Sequence, residues 1–220
     1  PVVISVKGEE GADEFNVPKF PVAQSFGDVM DAVGSLYAED HEMRTVVLDS
    51  ASALEPLVWD KTSRENGAAS IEKVGGGWGK GYTEALKLWR TLLDGLDALR
   101  DKKNMSSIII GHVKVKAVNN PDTDSYDAYQ MDVHASAVNL LYRWADLILF
   151  CNVKVVVRKE DTGFGEKARA VDASAGQRFL YTQKRPSHPG GGRGVYGRLP
   201  YELPLDWSAF QEAVSAACGN

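Results

Sequence analysis

Apolar residues recur along this chain in two patterns, one typical of buried strands and the other of amphipathic helices. Short runs rich in β-branched residues predict strands at 2–6, 45–50 and 107–111. Between and after them, apolar positions at helical spacing predict helices, two of which begin after the N-cap residues Ser25 and Asp206. The predicted helices end near residue 37 (after Ser25) and near residue 217 (after Asp206), and the others span 54–64, 83–103 and 133–144.

Strands that alternate with helices predict a mainly parallel sheet flanked by helices. Toward the C-terminus, a strand at 146–157, a turn at 161–165 and a return strand at 178–182 predict an antiparallel hairpin. The polar stretch 113–130 is predicted to be a long loop. We therefore predict an α/β fold in a single domain over 1–220.

Composition excludes several classes of protein. The chain is 44% hydrophobic and 25% charged, which does not fit a disordered, collagenous or coiled-coil protein. Two cysteines cannot form a disulfide scaffold, and their spacing with the four histidines does not resemble a zinc site. No run approaches the roughly 20 apolar residues of a membrane helix. We expect no membrane partner and a reducing, cytoplasmic location.

The charge is unevenly distributed, although the net charge is only −5. Residues 1–60 carry 3 basic and 12 acidic side chains, whereas residues 151–200 carry 10 basic and 4 acidic ones. The C-terminal half is therefore the better candidate for contact with an anionic partner. A solvated basic surface is the alternative.

Acids, a hydroxyl and an imidazole follow the predicted parallel strands: Glu9, Glu10, Asp49, Ser50 and His112. Ligands bind at the carboxyl ends of such strands. Asp49 has the Walker B pattern of a Mg²⁺ ligand, direct or through water, beside a nucleoside triphosphate. Glu9 is placed to orient an attacking water, and His112 to sense the γ-phosphate. Alternatively, Asp49 caps a helix, Glu9 is a solvated turn acid and His112 is structural.

The glycine-rich loop at 75–81 does not satisfy the phosphate-binding pattern G-x-x-x-x-G-K-[ST]. That pattern needs glycine where the chain has Val74, and serine or threonine where it has Gly81. The loop also follows a helical stretch and not a strand, so we interpret it as a connector or lid. The pattern occurs nowhere else in this sequence.

Basic and aromatic side chains in the predicted loops are candidates for phosphate contacts and base stacking on single-stranded DNA. Lys184 and Arg185 are candidates for a phosphate on DNA or on a neighbouring subunit. Solvated loop residues remain the alternative. The candidates for DNA binding are Lys114, Lys116, Tyr126, Tyr129, Arg193 and Arg198.

The order of these segments resembles that of the phage-type P-loop nucleotide-binding proteins. These are short RecA-like ATPases of phage recombination and replication modules, some of them single-strand annealing proteins. The resemblance spans nearly the whole chain. It rests on Glu9-Glu10-Gly11, Val17-Pro18-Lys19-Phe20-Pro21, the strand 45–50, Gly79-Lys80-Gly81-Tyr82, the strand 108–112 and Trp144-Ala145-Asp146.

This resemblance implies a RecA-like P-loop NTPase core that uses ATP and Mg²⁺, with Glu9 activating water beside Glu10 and with Asp49 as the Walker B carboxylate. His112 would be the polar sensor, and the loop from Lys114 would face DNA. Lys184 and Arg185 would be basic fingers that reach an adjacent subunit's nucleotide. The implied partners are single-stranded DNA and further copies of the chain, in a ring or filament in the host cytoplasm.

The family's Walker A strand, loop and helix would precede residue 1. Because the sequence starts inside a predicted strand without Met, we expect a missing N-terminal segment and not the loss of tight ATP binding. The predicted function is a Mg²⁺-dependent ATPase acting on single-stranded DNA in recombination or replication. Two alternatives remain: a non-enzymatic DNA-binding or annealing module with a vestigial nucleotide site, and a scaffold subunit of a phage replication complex.

Overall fold

The structure is a computed structural model in which the chain forms two compact units. It describes residues 1–9, 11–119, 124–161, 166–172 and 176–219, with the backbone alone for 155–161 and 166–172. Unit 1 comprises Pro1–Lys114 and Met131–Trp144, and unit 2 comprises Val115–Gln130 and Ala145–Asn220. The single domain expected from the sequence stays a prediction.

Unit 1 holds a parallel sheet and four helices. Its strands are β1 (Val2–Ser5), β2 (Thr45–Asp49) and β3 (Ser106–Ile109). Its helices are α1 (Phe26–Ala38), α2 (Ala51–Glu65), α3 (Lys80–Lys103) and α4 (Ala135–Trp144), with 3-10 helices at Gly11–Glu14 and Ile71–Gly76.

Strand β4 (Val113–Val118) begins in unit 1 and continues into unit 2, and β5 (Tyr126–Met131) returns to unit 1. The rest of unit 2 consists of short strands and one helix. These are β6 (Leu147–Ile148), β7 (Phe150–Val153), β8 (Val155–Asp161), β9 (Glu166–Asp172), β10 (Arg178–Tyr181), β11 (Gly191–Gly192), a 3-10 helix (Gly194–Arg198), β12 (Glu202–Pro204) and α5 (Trp207–Cys218).

The three strands of unit 1 are parallel in the order β1-β2-β3, which confirms the predicted parallel sheet flanked by helices. Leu48 of the central strand lies opposite Ile4 on one side and Ile109 on the other. The segment before α1 covers the outer edge of β1 through parallel bridges at Lys19 and Ala23. The carboxyl ends of all three strands therefore lie at one edge of the sheet.

Local sequence explains where the helices begin. The hydroxyl of Ser25 accepts a hydrogen bond from the Asp28 N–H (3.2 Å), and the Asp28 carboxylate accepts one from the Ser25 N–H (3.0 Å). This capping box confirms Ser25 as the predicted N-cap. Asp206 likewise caps α5 by accepting from the Ala209 N–H at 2.9 Å. In α3, Trp89 is only 1% exposed and helps to fill the core against the sheet and neighbouring helices.

The prediction of a long loop at 113–130 is wrong, because this stretch contains β4 and β5, which pair with each other. Val113, Val115 and Ala117 alternate with Lys114 and Lys116, which is the period of a strand. The polar character of the stretch hides that alternation. Val113 and Val115 are 44% and 59% exposed.

The C-terminal antiparallel hairpin is confirmed: β7, which lies within the predicted strand 146–157, pairs antiparallel with β10, the predicted return strand at 178–182. The sequence does not predict a second hairpin between these two strands. Strand β8 pairs with β9, from Val155 opposite Asp172 to Asp161 opposite Glu166. Strand β10 pairs with β7, as predicted, and on its other side with β12. A short connection favours the nearer partner, since antiparallel strands are joined most readily through few residues. The predicted strand 146–157 is divided among β6, β7 and β8, and the turn residues 162–165 lie outside the described residues.

Gly81 in the first turn of α3 tests how tightly this helix packs. A Cβ atom there would collide with the backbone carbonyl of Ile71. We expect Gly81→Ala to lower the free energy of unfolding by about 1 to 3 kcal/mol, because backbone must shift to admit the methyl group. The measurement is urea unfolding followed by circular dichroism.

The matched control is Gly34→Ala, at an exposed position of α1 where a Cβ atom would meet nothing within 4 Å. Alanine there should raise the free energy of unfolding by about 0.5 to 1 kcal/mol through helix propensity. Equal effects of the two substitutions would contradict the packing described for Gly81.

Candidate functional site

Three polar side chains converge at the carboxyl edge of the parallel sheet. The Ser50 hydroxyl donates a hydrogen bond to Oε1 of Glu9 at 2.6 Å, and Nε2 of His112 lies 2.7 Å from the same oxygen. A carboxylate oxygen can only accept, so Nε2 of His112 carries the proton of that bond when Glu9 is ionised. Residues far apart in the chain thus share one oxygen atom, as the positions of the strand ends predict.

A tight turn after β1 positions Glu9. Its N–H donates to the carbonyl of Val6 at 2.9 Å, and Gly8 within the turn has a φ of +96°. A side chain at that φ would be strained, so glycine lets the chain turn back over the end of the sheet. The Glu9 side chain is 18% exposed as a result.

Ser50 links the site to the start of α2. It is fully buried, and its hydroxyl also accepts a hydrogen bond from the Ala53 N–H at 3.2 Å, which makes it the N-cap of α2. Asp49 precedes it as the last residue of β2, and the peptide bond between them is cis. The predicted pair Asp49 and Ser50 therefore lies where the central strand passes into a helix.

Backbone hydrogen bonds hold His112 on both sides. Its N–H donates to the Ser52 hydroxyl at 3.1 Å, and its carbonyl accepts from the Asp132 N–H at 2.8 Å. The Ala51 N–H in turn donates to the carbonyl of Ile110 at 2.8 Å. The imidazole is 60% exposed, so the site opens to solvent on the His112 side.

The electrostatics of the two acids differ. Burial alone would raise the pKa of Glu9, but the hydrogen bonds from Ser50 and His112 and the charge of His112 outweigh it and leave this pKa lowered. Burial raises the pKa of Asp49, the Glu9 carboxylate raises it further, and His112 only partly offsets both effects. The repulsion of the Asp49 carboxylate by Glu9 is therefore only partly compensated.

The donor set fits a divalent cation held mainly by water and phosphate. Within the part of the chain that the structure describes, the Asp49 carboxylate has no hydrogen bond or ion pair. No three described His, Cys, Asp or Glu side chains form a metal cluster. Mg²⁺ characteristically keeps several waters and takes only one or two carboxylates from the protein, beside substrate phosphates. A cation at Asp49 would also relieve its repulsion by Glu9.

Glu55, a buried carboxylate one turn after Ser52 in α2, is 7% exposed. Both of its oxygens accept from the His134 N–H, at 2.8 and 3.0 Å, just before α4 begins. The His134 ring stacks on Tyr82 at 4.2 Å between ring centroids. Glu55 therefore fixes the entry to α4, as Ser52 fixes His112, from the same helix.

The other predicted site residues lie apart from this convergence. Lys114 forms an ion pair with Asp132 at 2.7 Å, in unit 1. Tyr126 and Tyr129 occupy positions of opposite parity on β5, so they face opposite sides of that strand. Exposed positions in unit 2 hold Lys116, Lys184, Arg185, Arg193 and Arg198, of which Arg193 lies 3.6 Å from Asp146. Glu10 lies outside the described residues.

Sequence reasoning missed Ser52 and Glu55, which hold the backbone around the site. A signal for Glu55 was present, because it lies on the helical face of α2 that also carries the buried residues Leu54 and Val58. An acid on such a face needs a hydrogen-bond partner when it is buried. Ser52 has no comparable signal, since serine is common in the first turn of a helix.

A parallel sheet flanked by helices, with an acid after one strand and an aspartate at the end of the next, fits a P-loop NTPase fold. The family model described as AAA domain matches residues 1–194. The chain therefore belongs to the AAA domain family, and this membership indicates nucleotide binding, typically with a divalent metal. No curated protein matches the chain. Among the helices described, none is both long and apolar enough to cross a bilayer.

Glu55 provides a test of how the site is supported. Glu55→Ala leaves the His134 N–H without its acceptor, so we expect unfolding free energy to fall by about 1 to 3 kcal/mol. The control on the same helix is Glu65→Ala, which removes an ion pair with Lys61 from a side chain that is 53% exposed. That change should stay within about 1 kcal/mol. Equal losses in urea unfolding would contradict the role of Glu55.

Glu55 also predicts a pH dependence. Burial raises its pKa above the ordinary 4.5 despite the His134 N–H and Lys114. Between 4.5 and the raised value the native state binds more protons than the unfolded chain, so this group's contribution to stability falls as pH rises. The unfolding free energy of wild type relative to Glu55→Gln should therefore decrease with pH across that window. A pH-independent difference would refute this expectation.

Proposed function

We propose that this chain is the core of a Mg²⁺-dependent, RecA-like ATPase that acts on single-stranded DNA in phage recombination or replication. The observation that carries the proposal is the shared oxygen of Glu9, held by Ser50 and His112 beside Asp49 at the carboxyl edge of the sheet. ATP hydrolysis requires an oriented water and stabilised phosphate charge, and little covalent chemistry from the protein.

Asp49 is the residue that would hold the cation, through water, at the end of the central strand. A bound Mg²⁺ supplies charge neutralisation for the phosphates of the nucleotide. Ser50 keeps the helix that follows Asp49 in place, because its hydroxyl both caps α2 and donates to Glu9. A role for Ser50 at the nucleotide itself would compete with these two bonds.

Glu9 is the residue that would orient the attacking water. Its lowered pKa keeps it ionised at neutral pH. Both described hydrogen bonds to its side chain use Oε1, and among the described residues Oε2 has no partner. One oxygen thus fixes the carboxylate while the other is available to accept a hydrogen bond from water.

His112 connects this carboxylate to the chain that follows. Its imidazole donates to Glu9, and the next residue, Val113, begins β4. The backbone of His112 is tied to Ser52 and Asp132, so its imidazole is held in place beside Glu9 and next to the start of β4. This arrangement supports a role as the sensor of the γ-phosphate, as the resemblance implies.

The loop that binds the phosphates is not in this sequence, and an open edge of the sheet supports its supply from elsewhere. Among the described residues no strand pairs with the outer edge of β3, where Ile108 and Ile110 are 43% and 40% exposed. An edge strand presents unpaired N–H and C=O groups that can pair with a further strand. We propose that a further strand carrying the phosphate loop pairs there. Because this sequence lacks the phosphate-loop pattern, the alternative to an ATPase also stands, which is a non-enzymatic DNA-annealing module with a vestigial nucleotide site.

The test is Glu9→Gln in the complete natural chain. We expect nucleotide binding to be retained and ATP turnover to fall by about 100-fold or more, because the neutral amide is a weaker acceptor for the attacking water. Binding is measured with a fluorescent nucleotide, and turnover by phosphate release. The matched control, Glu14→Gln, changes an exposed acid of the neighbouring 3-10 helix and should alter neither quantity.

Asp49→Ala should weaken Mg²⁺-dependent nucleotide binding and abolish turnover with circular dichroism unchanged. Wild-type turnover in either site variant would contradict the assigned roles. A wild-type protein that binds single-stranded DNA in a salt-sensitive manner, without any effect of ATP, would establish the alternative module instead.

A further inference from the structure

Five rings and one guanidinium form a continuous cluster within unit 2, in which the rings of Phe150 and His188 are stacked and most of the other ring pairs are tilted. Phe150 lies at its centre, 5.2 Å from Tyr129 and 4.8 Å from His188 between ring centroids. Tyr201 lies 5.3 Å from Tyr181, which in turn lies 5.1 Å from His188. The Arg185 guanidinium carbon lies 4.3 Å above the centroid of the Tyr201 ring. The members are Tyr129, Phe150, Tyr181, His188, Tyr201 and Arg185.

His188 is the buried member of this cluster that contacts Phe150, Tyr181 and Tyr201, and it is only 7% exposed. Its Nδ1 lies 2.8 Å from the carbonyl of Pro189, which can only accept, so Nδ1 carries the proton. In the neutral ring Nε2 is then the acceptor for the Tyr201 hydroxyl, at 3.1 Å. Both ring nitrogens are satisfied, and their bonds fix the His188 ring next to Pro189.

A tight turn at 185–188 ends at His188. Arg185 and His188 exchange two backbone hydrogen bonds, at 3.1 and 3.2 Å. The Ser187 carbonyl accepts from the Tyr129 N–H at 2.8 Å, which ties the turn to β5. A Cβ atom on Gly190 would lie 2.6 Å from the backbone of Gln183, so the chain returns closely past the residue before Lys184. The turn and Tyr129 therefore form one rigid piece.

The outward side of this piece is basic and aromatic. Lys184 and Arg185 are both exposed, and neither has an acidic partner among the residues that the structure describes. Tyr129, whose N–H is bonded to the Ser187 carbonyl of the same turn, is 36% exposed. Aromatic faces beside unpaired cations are what single-stranded nucleic acid binds, through base stacking and phosphate contacts.

We propose that Tyr129, Lys184 and Arg185 form one binding site for single-stranded nucleic acid, in which a base stacks on Tyr129 and the two cations contact backbone phosphates. Tyr201 and His188 are its positioning residues. This deepens the proposed function, on whose DNA-binding part it rests. It also reassigns Lys184 and Arg185, which the resemblance directs to an adjacent subunit's nucleotide. Single-stranded nucleic acid and a nucleotide on an adjacent subunit would both present a phosphate group to these cations. The experiment distinguishes the two.

The experiment measures fluorescence anisotropy of a labelled oligothymidylate with the complete natural chain, over a series of salt concentrations. Tyr129→Leu keeps apolar bulk against Phe150 but removes the stacking face, so affinity should fall by about 5- to 100-fold. Tyr129→Phe should retain wild-type affinity. The control Tyr37→Leu changes a tyrosine of α1 that is 47% exposed and should have no effect.

Arg185→Ala should lower the slope of log affinity against log salt by about 0.7, the value for one phosphate contact on a single strand. Lys102→Ala, which removes an exposed cation from α3, should leave the slope unchanged. If Arg185→Ala instead weakens binding of a fluorescent nucleotide and leaves oligonucleotide affinity intact, the phosphate belongs to a nucleotide and the site is overturned.

Tyr201 separates positioning from general stability. Tyr201→Phe keeps the ring beneath Arg185 and loses only the hydroxyl bonded to His188, so it should keep the wild-type salt slope. Tyr201→Leu should reduce the slope as Arg185→Ala does, at unchanged circular dichroism. Wild-type binding by Tyr129→Leu, Arg185→Ala and Tyr201→Leu would overturn the site while single-strand binding stands. A wild-type chain that binds no oligonucleotide would overturn the DNA-binding function itself.

Discussion

The candidate site depends on one buried hydroxyl. Ser50 Oγ accepts from the first turn of α2 and donates to Glu9, so the start of a helix and the orientation of an acid 41 residues earlier are fixed by the same atom. His112 completes the arrangement from the third strand. Because all three groups meet on Oε1 of Glu9, the carboxylate has a defined orientation and a second oxygen that faces away from these bonds. The three strands bring the groups to one edge, and the hydroxyl sets their geometry.

Helix α2 extends that control beyond the site. Ser52 binds the backbone of His112, and one turn further Glu55 binds the backbone of His134. Two polar residues on one face of a helix thus hold both the end of β3 and the entry to α4. The cost of burying Glu55 is visible in its raised pKa, and the hydrogen bonds to the His134 N–H offset part of it. The imidazole of His112 is consequently supported by backbone contacts that come from α2.

The sequence predicts the strands and helices that form the parallel sheet of unit 1, because apolar periodicity is a local property. It also predicts the meeting of Glu9, Ser50 and His112, because strands that alternate with helices place their carboxyl ends at one edge of a sheet. It does not predict β4, whose alternation is carried by exposed valines and lysines without a buried face. It predicts the antiparallel pairing of β7 with β10 but not the hairpin of β8 with β9 between them, since one turn signal at 161–165 indicates one hairpin and not two pairings. Ser52 acts through a backbone contact 60 residues away, which no local pattern records.

For the basic residues near the C-terminus, too, the sequence alone does not distinguish a functional side chain from a solvated one. As a sequence, the residues around Lys184 and Arg185 are only a cationic, glycine-rich stretch, and a solvated surface explains them equally well. The contacts change that comparison. A solvated loop does not need a 7% exposed histidine with both ring nitrogens bonded, nor a guanidinium held 4.3 Å above a tyrosine ring. Ordering these groups costs conformational entropy during folding. A cation that is already held in place loses less entropy when it binds an anion. Its position over the Tyr201 ring of the aromatic cluster, more than the net charge, therefore distinguishes Arg185 from the other exposed cations of this chain.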